Sequence, residues 1–126
     1  MTDEWDTRGV KKGQEYAILT DEITKAWSGL TVKEYKNHKD LKKENLRDNM
    51  TNLELVLNML AEATTSEISK EKKPKTFDEN KIIANQGGTI AGNTRKEIEE
   101  KTGKKVVSTR SAKKLLADKA KQIKKK

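Results

Sequence analysis

At three places along this chain a threonine followed three residues later by a glutamate opens a stretch of helical apolar spacing: Thr31-Val32-Lys33-Glu34, Thr51-Asn52-Leu53-Glu54 and Thr76-Phe77-Asp78-Glu79. At that spacing the hydroxyl and the carboxylate satisfy backbone amides left open at a helix start, so each motif is a capping box and predicts a helix beginning at the next residue. Seven glycines, one proline and almost no alternating β-branched runs leave little to argue for strands. The expected fold is all-α: a compact bundle of about four to five helices with a basic, partly disordered C-terminal tail.

Apolar spacing fills in the rest. Residues 13–27 place Tyr16, Leu19, Ile23, Ala26 and Trp27 at steps of three and four, then stop at Ser28-Gly29. The first capping box opens a short helix carrying Val32 and Tyr35, and residues 39–47 turn through one more helical turn. The second box precedes Leu53, Leu55, Val56, Leu57, Met59, Leu60, Ala61 and Ala63, apolar almost all round, which predicts a central, buried helix. That pattern weakens through Ile68 and dissolves in the charged loop 69–75, where Pro74 disfavours helix just before it. A last long helix spans 77–101 with Gly103 as its stop, Val106 and Val107 form a brief extended segment, and Ala112, Leu115, Leu116 and Ile123 give the tail an amphipathic pattern. The charge density of that tail predicts disorder in isolation as readily as helix.

Charge is segregated. Residues 101–126 carry eleven Lys and Arg against the single Asp118, whereas residues 1–100 hold seventeen basic and nineteen acidic groups, so the net +8 comes from one end. A near-neutral body with a cationic end is how contact with a polyanion is appended to a folded domain. We therefore divide the chain into a helical domain, 1–108, and a basic tail, 109–126. At 32% hydrophobic content and a mean hydropathy of −1.00 the core is small. No apolar run suits a bilayer and no secretory signal is evident, which predicts a cytoplasmic protein. Zero cysteines exclude disulfides, zinc-thiolate sites and thiol nucleophiles.

Candidates for chemistry are weak. The segment Gln86-Gly87-Gly88-Thr89-Ile90-Ala91-Gly92-Asn93 invites a phosphate-loop interpretation, but it lacks the Gly-Lys-Ser/Thr ending and a preceding strand. Ala84, Gly88, Ala91 and Gly92 instead form a stripe at helical spacing that lets another helix approach, at a propensity cost of about 1 kcal/mol per glycine. His38 is the lone histidine, a surface residue by its neighbours, so no multi-histidine metal site can form. The acidic groups Asp3/Glu4/Asp6, Asp21/Glu22 and Glu97/Glu99/Glu100 sit among lysines as solvated faces, and no serine has a nucleophile elbow. Neither enzymatic activity nor a cofactor is expected. Trp27, Tyr16 and Tyr35 fall on helix faces and belong to the core, while Trp5, alone in a polar stretch, either docks onto the domain or needs a cover from elsewhere. Lys39, Lys42, Lys43 and Arg47, offset by Asp40, Glu44 and Asp48, suggest a salt-bridged surface.

Two stretches also resemble a known family. They are 15–20 (Glu-Tyr-Ala-Ile-Leu-Thr) running on to 41–55 (Leu-Lys-Lys-Glu-Asn-Leu-Arg-Asp-Asn-Met-Thr-Asn-Leu-Glu-Leu), and 87–96 (Gly-Gly-Thr-Ile-Ala-Gly-Asn-Thr-Arg-Lys) with 101–108 (Lys-Thr-Gly-Lys-Lys-Val-Val-Ser). Over most of 3–108 the chain resembles the C-terminal region of the Bro-N prophage antirepressor-like group that includes the DNA damage-inducible DinD proteins. The Bro-N half has no counterpart in this sequence, so its functions are not carried over. The resemblance implies a DNA-associated regulator tied to the SOS response and to RecA filaments, with no catalytic residues to transfer.

The expected function is accordingly a non-enzymatic accessory domain that contacts DNA phosphates, or a DNA-bound protein such as RecA or a phage repressor. The candidate nucleic-acid-binding residues are Lys104, Lys105, Arg110, Lys113, Lys114, Lys119, Lys121, Lys124, Lys125 and Lys126. The alternative is a protein-interaction or oligomerisation module using the Gly88/Gly92 stripe and the apolar helix 53–63.

Overall fold

The computed structural model describes residues 2–109, with side chains from Glu4 onward. Five helices make the body: α1 (Thr2–Thr7), α2 (Gln14–Ser28), α3 (Val32–His38), α4 (Asn52–Lys72) and α5 (Phe77–Thr102), with one 3-10 turn at Arg47–Asn49. Among the described residues there is no strand, so the extended segment expected at Val106-Val107 is instead a pair of bends.

Two capping boxes close in both directions. Thr31 and Thr51 each accept from the backbone of the glutamate three residues on, while Glu34 and Glu54 accept from the threonine amides. The Glu34 carboxyl lies below its usual range, held there by the Thr31 amide and then by the Thr31 hydroxyl. The third box closes only halfway. Thr76 accepts from the Glu79 amide, but the Glu79 carboxylate takes the amide of Lys75, one residue further out. Gly29 and Gly103 end α2 and α5 in the left-handed region, at φ of 85° and 72°, where a Cβ would be strained.

Helix α5 is the spine, packing along both α2 and α4, which touch each other less. The approach to α4 is through Gly87, where a Cβ would fall 2.6 Å from the Thr65 amide nitrogen. The approach to α2 is through Gly88 and Gly92, where a Cβ would fall 2.6 Å from Ala26 Cβ and 2.6 Å from the Ala26 carbonyl oxygen. Ala84 and Ala91 are fully buried on the same spine. Lys73, at φ 49°, turns the chain from α4 into α5, so α4 runs a turn beyond the expected break and buries Ser69.

Trp27 and Tyr35 fill the centre without exposure, their rings 6.0 Å apart. The unpredicted α1 carries Trp5, which docks 5.3 Å from Tyr16 and is buried, and Glu4, which joins Arg8 to Ser69 of α4. One expectation reverses. Leu53, Val56, Met59 and Leu60 of the apolar helix α4 lie exposed, because the face that meets α5 and α3 is the one bearing Glu54, Leu57, Ala61, Thr65 and Ser69.

Candidate interaction site at the C-terminal root

Where α5 ends, the chain is tied back onto the body before the basic end begins. Past Gly103 the Lys104 amide donates to Thr102 Oγ1 (3.2 Å) and the Val106 amide donates to Glu99 Oε2 (3.0 Å). Val106 itself is buried and Val107 packs beside it. Glu99 is positioned by Arg95, whose Nη1 donates to it at 2.8 Å while its Nε donates to the Trp27 carbonyl at 2.7 Å. Burial pulls the Glu99 carboxyl upward, but the Val106 amide and the Arg95 guanidinium outweigh it and hold the group below the usual carboxylate range.

A second tie comes from the interior. Lys39 Nζ, wholly buried, donates to Glu54 Oε1 at 2.8 Å and to the Ser108 carbonyl at 2.8 Å, and sits 5.6 Å from the Tyr35 ring centre. The Tyr35 hydroxyl donates to Glu54 Oε2, and the Thr51 amide donates to Oε1 at 3.0 Å. Burial, then the hydrogen bond and charge of Glu54, push the Tyr35 phenol far up. Thus α3, α4 and the segment after α5 converge on one carboxylate and one ammonium, with no buried side-chain nitrogen or oxygen unpartnered among the described residues. Such a pair is costly to form and costlier to break, since losing one partner strands the other charge in the interior.

These findings correct the sequence reading of Lys39 as part of a salt-bridged surface with Asp40, Glu44 and Asp48. Arg47 of that cluster is in an exposed ion pair, and its partner is Glu62 of α4, 3.0 Å away. The interior triad was missed because Glu54 was already assigned as a capping residue, and a lysine gives no sequence signal that it will be buried. Its clamp on Ser108 spans 69 positions.

Of the proposed phosphate-binding residues, Lys104 and Lys105 are exposed beside the clamped segment. Arg110, Lys113, Lys114, Lys119, Lys121, Lys124, Lys125 and Lys126 lie outside the described residues, as does the amphipathic pattern from Ala112 to Ile123. The Ala84, Gly88, Ala91 and Gly92 stripe is elsewhere, occupied within the bundle. Residues 86–93 are uninterrupted helix, which removes the loop geometry a phosphate cradle requires. His38 is exposed, and among the described residues no three metal-ligating groups converge. Among them also, no helix is long and apolar enough to cross a membrane.

Compared with known proteins, residues 1–121 match the family described as the DinD C-terminal domain. No curated protein and no solved structure gives a match.

Proposed function

Because this chain belongs to the DinD C-terminal domain family, we propose that it is a non-enzymatic regulatory domain whose basic C-terminal end contacts DNA, or a protein bound to DNA. The observation that carries this reading is the double clamp on residues 104–108. Glu99 holds the Val106 amide and Lys39 holds the Ser108 carbonyl, so the strongly cationic stretch departs from a defined point on a near-neutral body. Fixing the root of a charged segment reduces the ordering entropy it loses on binding and aims its field. Lys104 and Lys105, exposed at that root, are the first of ten cations available to phosphates.

Contacts of this kind are additive, indifferent to sequence and steep in salt. Fluorescence anisotropy with labelled single- and double-stranded DNA, on the intact chain and on one ending at residue 109, tests it. If six to ten phosphates are engaged, affinity falls by about 10³–10⁵ between roughly 50 and 200 mM salt. A salt-independent affinity overturns direct phosphate binding, and an affinity that survives removal of residues 110–126 overturns the role of the basic end. Absence of binding at low salt moves the partner to a protein, with RecA and phage repressors the first to try in a cytoplasmic SOS setting.

A second reading, self-association, is favoured by one observation: Val56 and Met59 of α4 are more than half exposed, beside Leu53 and Leu60. The small-residue stripe does not serve it, since Gly88 and Gly92 already face α2. Sedimentation across a concentration series separates the two readings.

A further inference from the structure

Between α2 and the connection from α3 to the 3-10 turn runs a groove with an apolar floor and a basic rim. Trp5, Ile23, Leu46 and Met50 line a cleft of about 320 Å³, at the small end of the roughly 300–1,000 Å³ that ligand-holding clefts enclose. Through the shared wall of Thr20, Val32 and Lys36 it continues as a more open trough past Tyr16 and Leu41.

The charges along it are Lys33, Lys36, Lys42 and Arg47 against Asp21 and Glu62. Both acids are already engaged. Asp21 Oδ1 accepts the Val32 amide at 3.0 Å, and Glu62 Oε1 accepts Arg47 at 3.0 Å and Asn58 at 2.8 Å. Lys33, Lys36 and Lys42 have no ion-pair partner among the described residues. Three lysines without an ion pair therefore stand around a cleft whose apolar lining is buried at Trp5, Ile23 and Leu46 and part-exposed at Val32 and Met50, on a body that is otherwise close to neutral.

We propose that this groove docks an acidic segment of a partner protein, which inserts one bulky apolar side chain between Val32 and Met50 and sets its carboxylates against Lys33, Lys36 and Lys42. Charge complementarity selects that occupant. Nucleic acid would satisfy the lysines but leave the floor wet. A neutral apolar helix would fill the floor but strip water from unpaired ammonium groups, which is costly. An acidic segment with a single large anchor does both, and anchors of that kind carry most of the energy at such sites. The groove uses none of residues 104–126, so it is a surface additional to the basic end.

The test titrates the full chain, followed by residue-resolved NMR, with a short glutamate-rich peptide built around one central tryptophan. Its tryptophan-to-alanine counterpart and a duplex DNA are the comparison probes. We expect shifts centred on Trp5, Ile23, Leu46 and Met50, affinity roughly tenfold weaker for the alanine peptide, and a comparable loss in Lys36→Glu. Thr20→Trp, which fills the shared wall from an exposed position, blocks binding and guards against a charge effect mistaken for docking. Both variants must keep the parent's helical circular dichroism and melting profile. Equal affinity of the two peptides, shifts confined to residues 104–126, or displacement of the peptide by DNA from the groove would each overturn the proposal.

Discussion

On its inward side α4 buries Glu54, Thr65 and Ser69 beside Leu57 and Ala61, each no more than 2% exposed, whereas its outward side holds Leu53, Val56, Met59 and Leu60 in solvent. The polar members of the inward face are all satisfied. Glu54 meets Tyr35, Lys39 and Thr51, the Thr65 hydroxyl donates to the Ala61 carbonyl at 2.7 Å, and the Ser69 hydroxyl donates to Glu4 at 3.1 Å. The difference between the two faces is fit. Gly87 brings the α5 backbone against Thr65, a distance at which leucine would not pass, so the side that goes inward is the one with small or fully partnered groups. Burial of apolar groups favours folding in proportion to area, but it does not forbid apolar residues at the surface.

The largest effect we expect comes from the inward carboxylate. Glu54→Ala strands the Lys39 ammonium and leaves the Tyr35 hydroxyl and Thr51 amide without their acceptor, a loss of about 3–5 kcal/mol. Urea denaturation measures it, and the double variant Lys39→Met with Glu54→Leu should recover most of the loss because no charge is then orphaned. A single-variant loss under about 1 kcal/mol would mean that the inward face is held by shape alone. Next is Gly87→Ala. Alanine gains up to about 1 kcal/mol of helix propensity, but its methyl group collides with Thr65 backbone, and displacing a packed helix costs about 1–3 kcal/mol. A net loss of about 1 kcal/mol by thermal melting is the expected outcome, and a gain would show that the seam is looser than the structure has it.

A smaller effect follows from Tyr35, whose phenol is pushed up in the folded protein by burial and by Glu54. Its stabilising contribution is complete below the unfolded tyrosine value of 10.0 and is lost as pH rises above it, because the unfolded chain then releases a proton that the folded one keeps. The slope for one proton is at most about 1.4 kcal/mol per pH unit. Tyr35→Phe should flatten the alkaline limb of a stability curve relative to the parent. Identical limbs would remove Tyr35 from the account.

Local chemistry was readable in the sequence, and long-range partnering was not. The threonines at 31, 51 and 76 marked three helix starts because a capping motif is satisfied within four residues. Gly29 and Gly103 marked two ends for the same reason. The side of α4 that turns inward depended on Gly87 and Lys39, distant in sequence, and hydrophobic periodicity has no term for a glycine's close approach or for a buried ion pair. Helix α1 went unnoticed because six polar-rich residues make a marginal helix alone. It is held by Trp5 against Tyr16 and by Glu4 against Ser69, both tertiary contacts. Of the candidate site, the charge asymmetry was plain in composition, while the clamp at Ser108 required the fold.

The smallest effect belongs to the outward face and bears on whether that face is idle. In a monomer, Val56→Lys with Met59→Lys replaces side chains already more than half exposed, and such changes stay within about 0.5 kcal/mol each. Lysine also keeps good helix propensity, whereas the valine it replaces is β-branched and loses rotamer freedom in a helix. Thermal melting of the double variant should therefore fall within a few degrees of the parent, on either side. If α4 instead meets a second copy through this face, the same pair of charges is driven into an apolar contact, and both the sedimentation coefficient and the melting temperature drop together in a concentration-dependent way. Unchanged stability with unchanged sedimentation leaves the inward face to hold the fold and the outward face as ordinary surface. A coupled drop would mean that the apolar side of α4 is covered after all, by another chain.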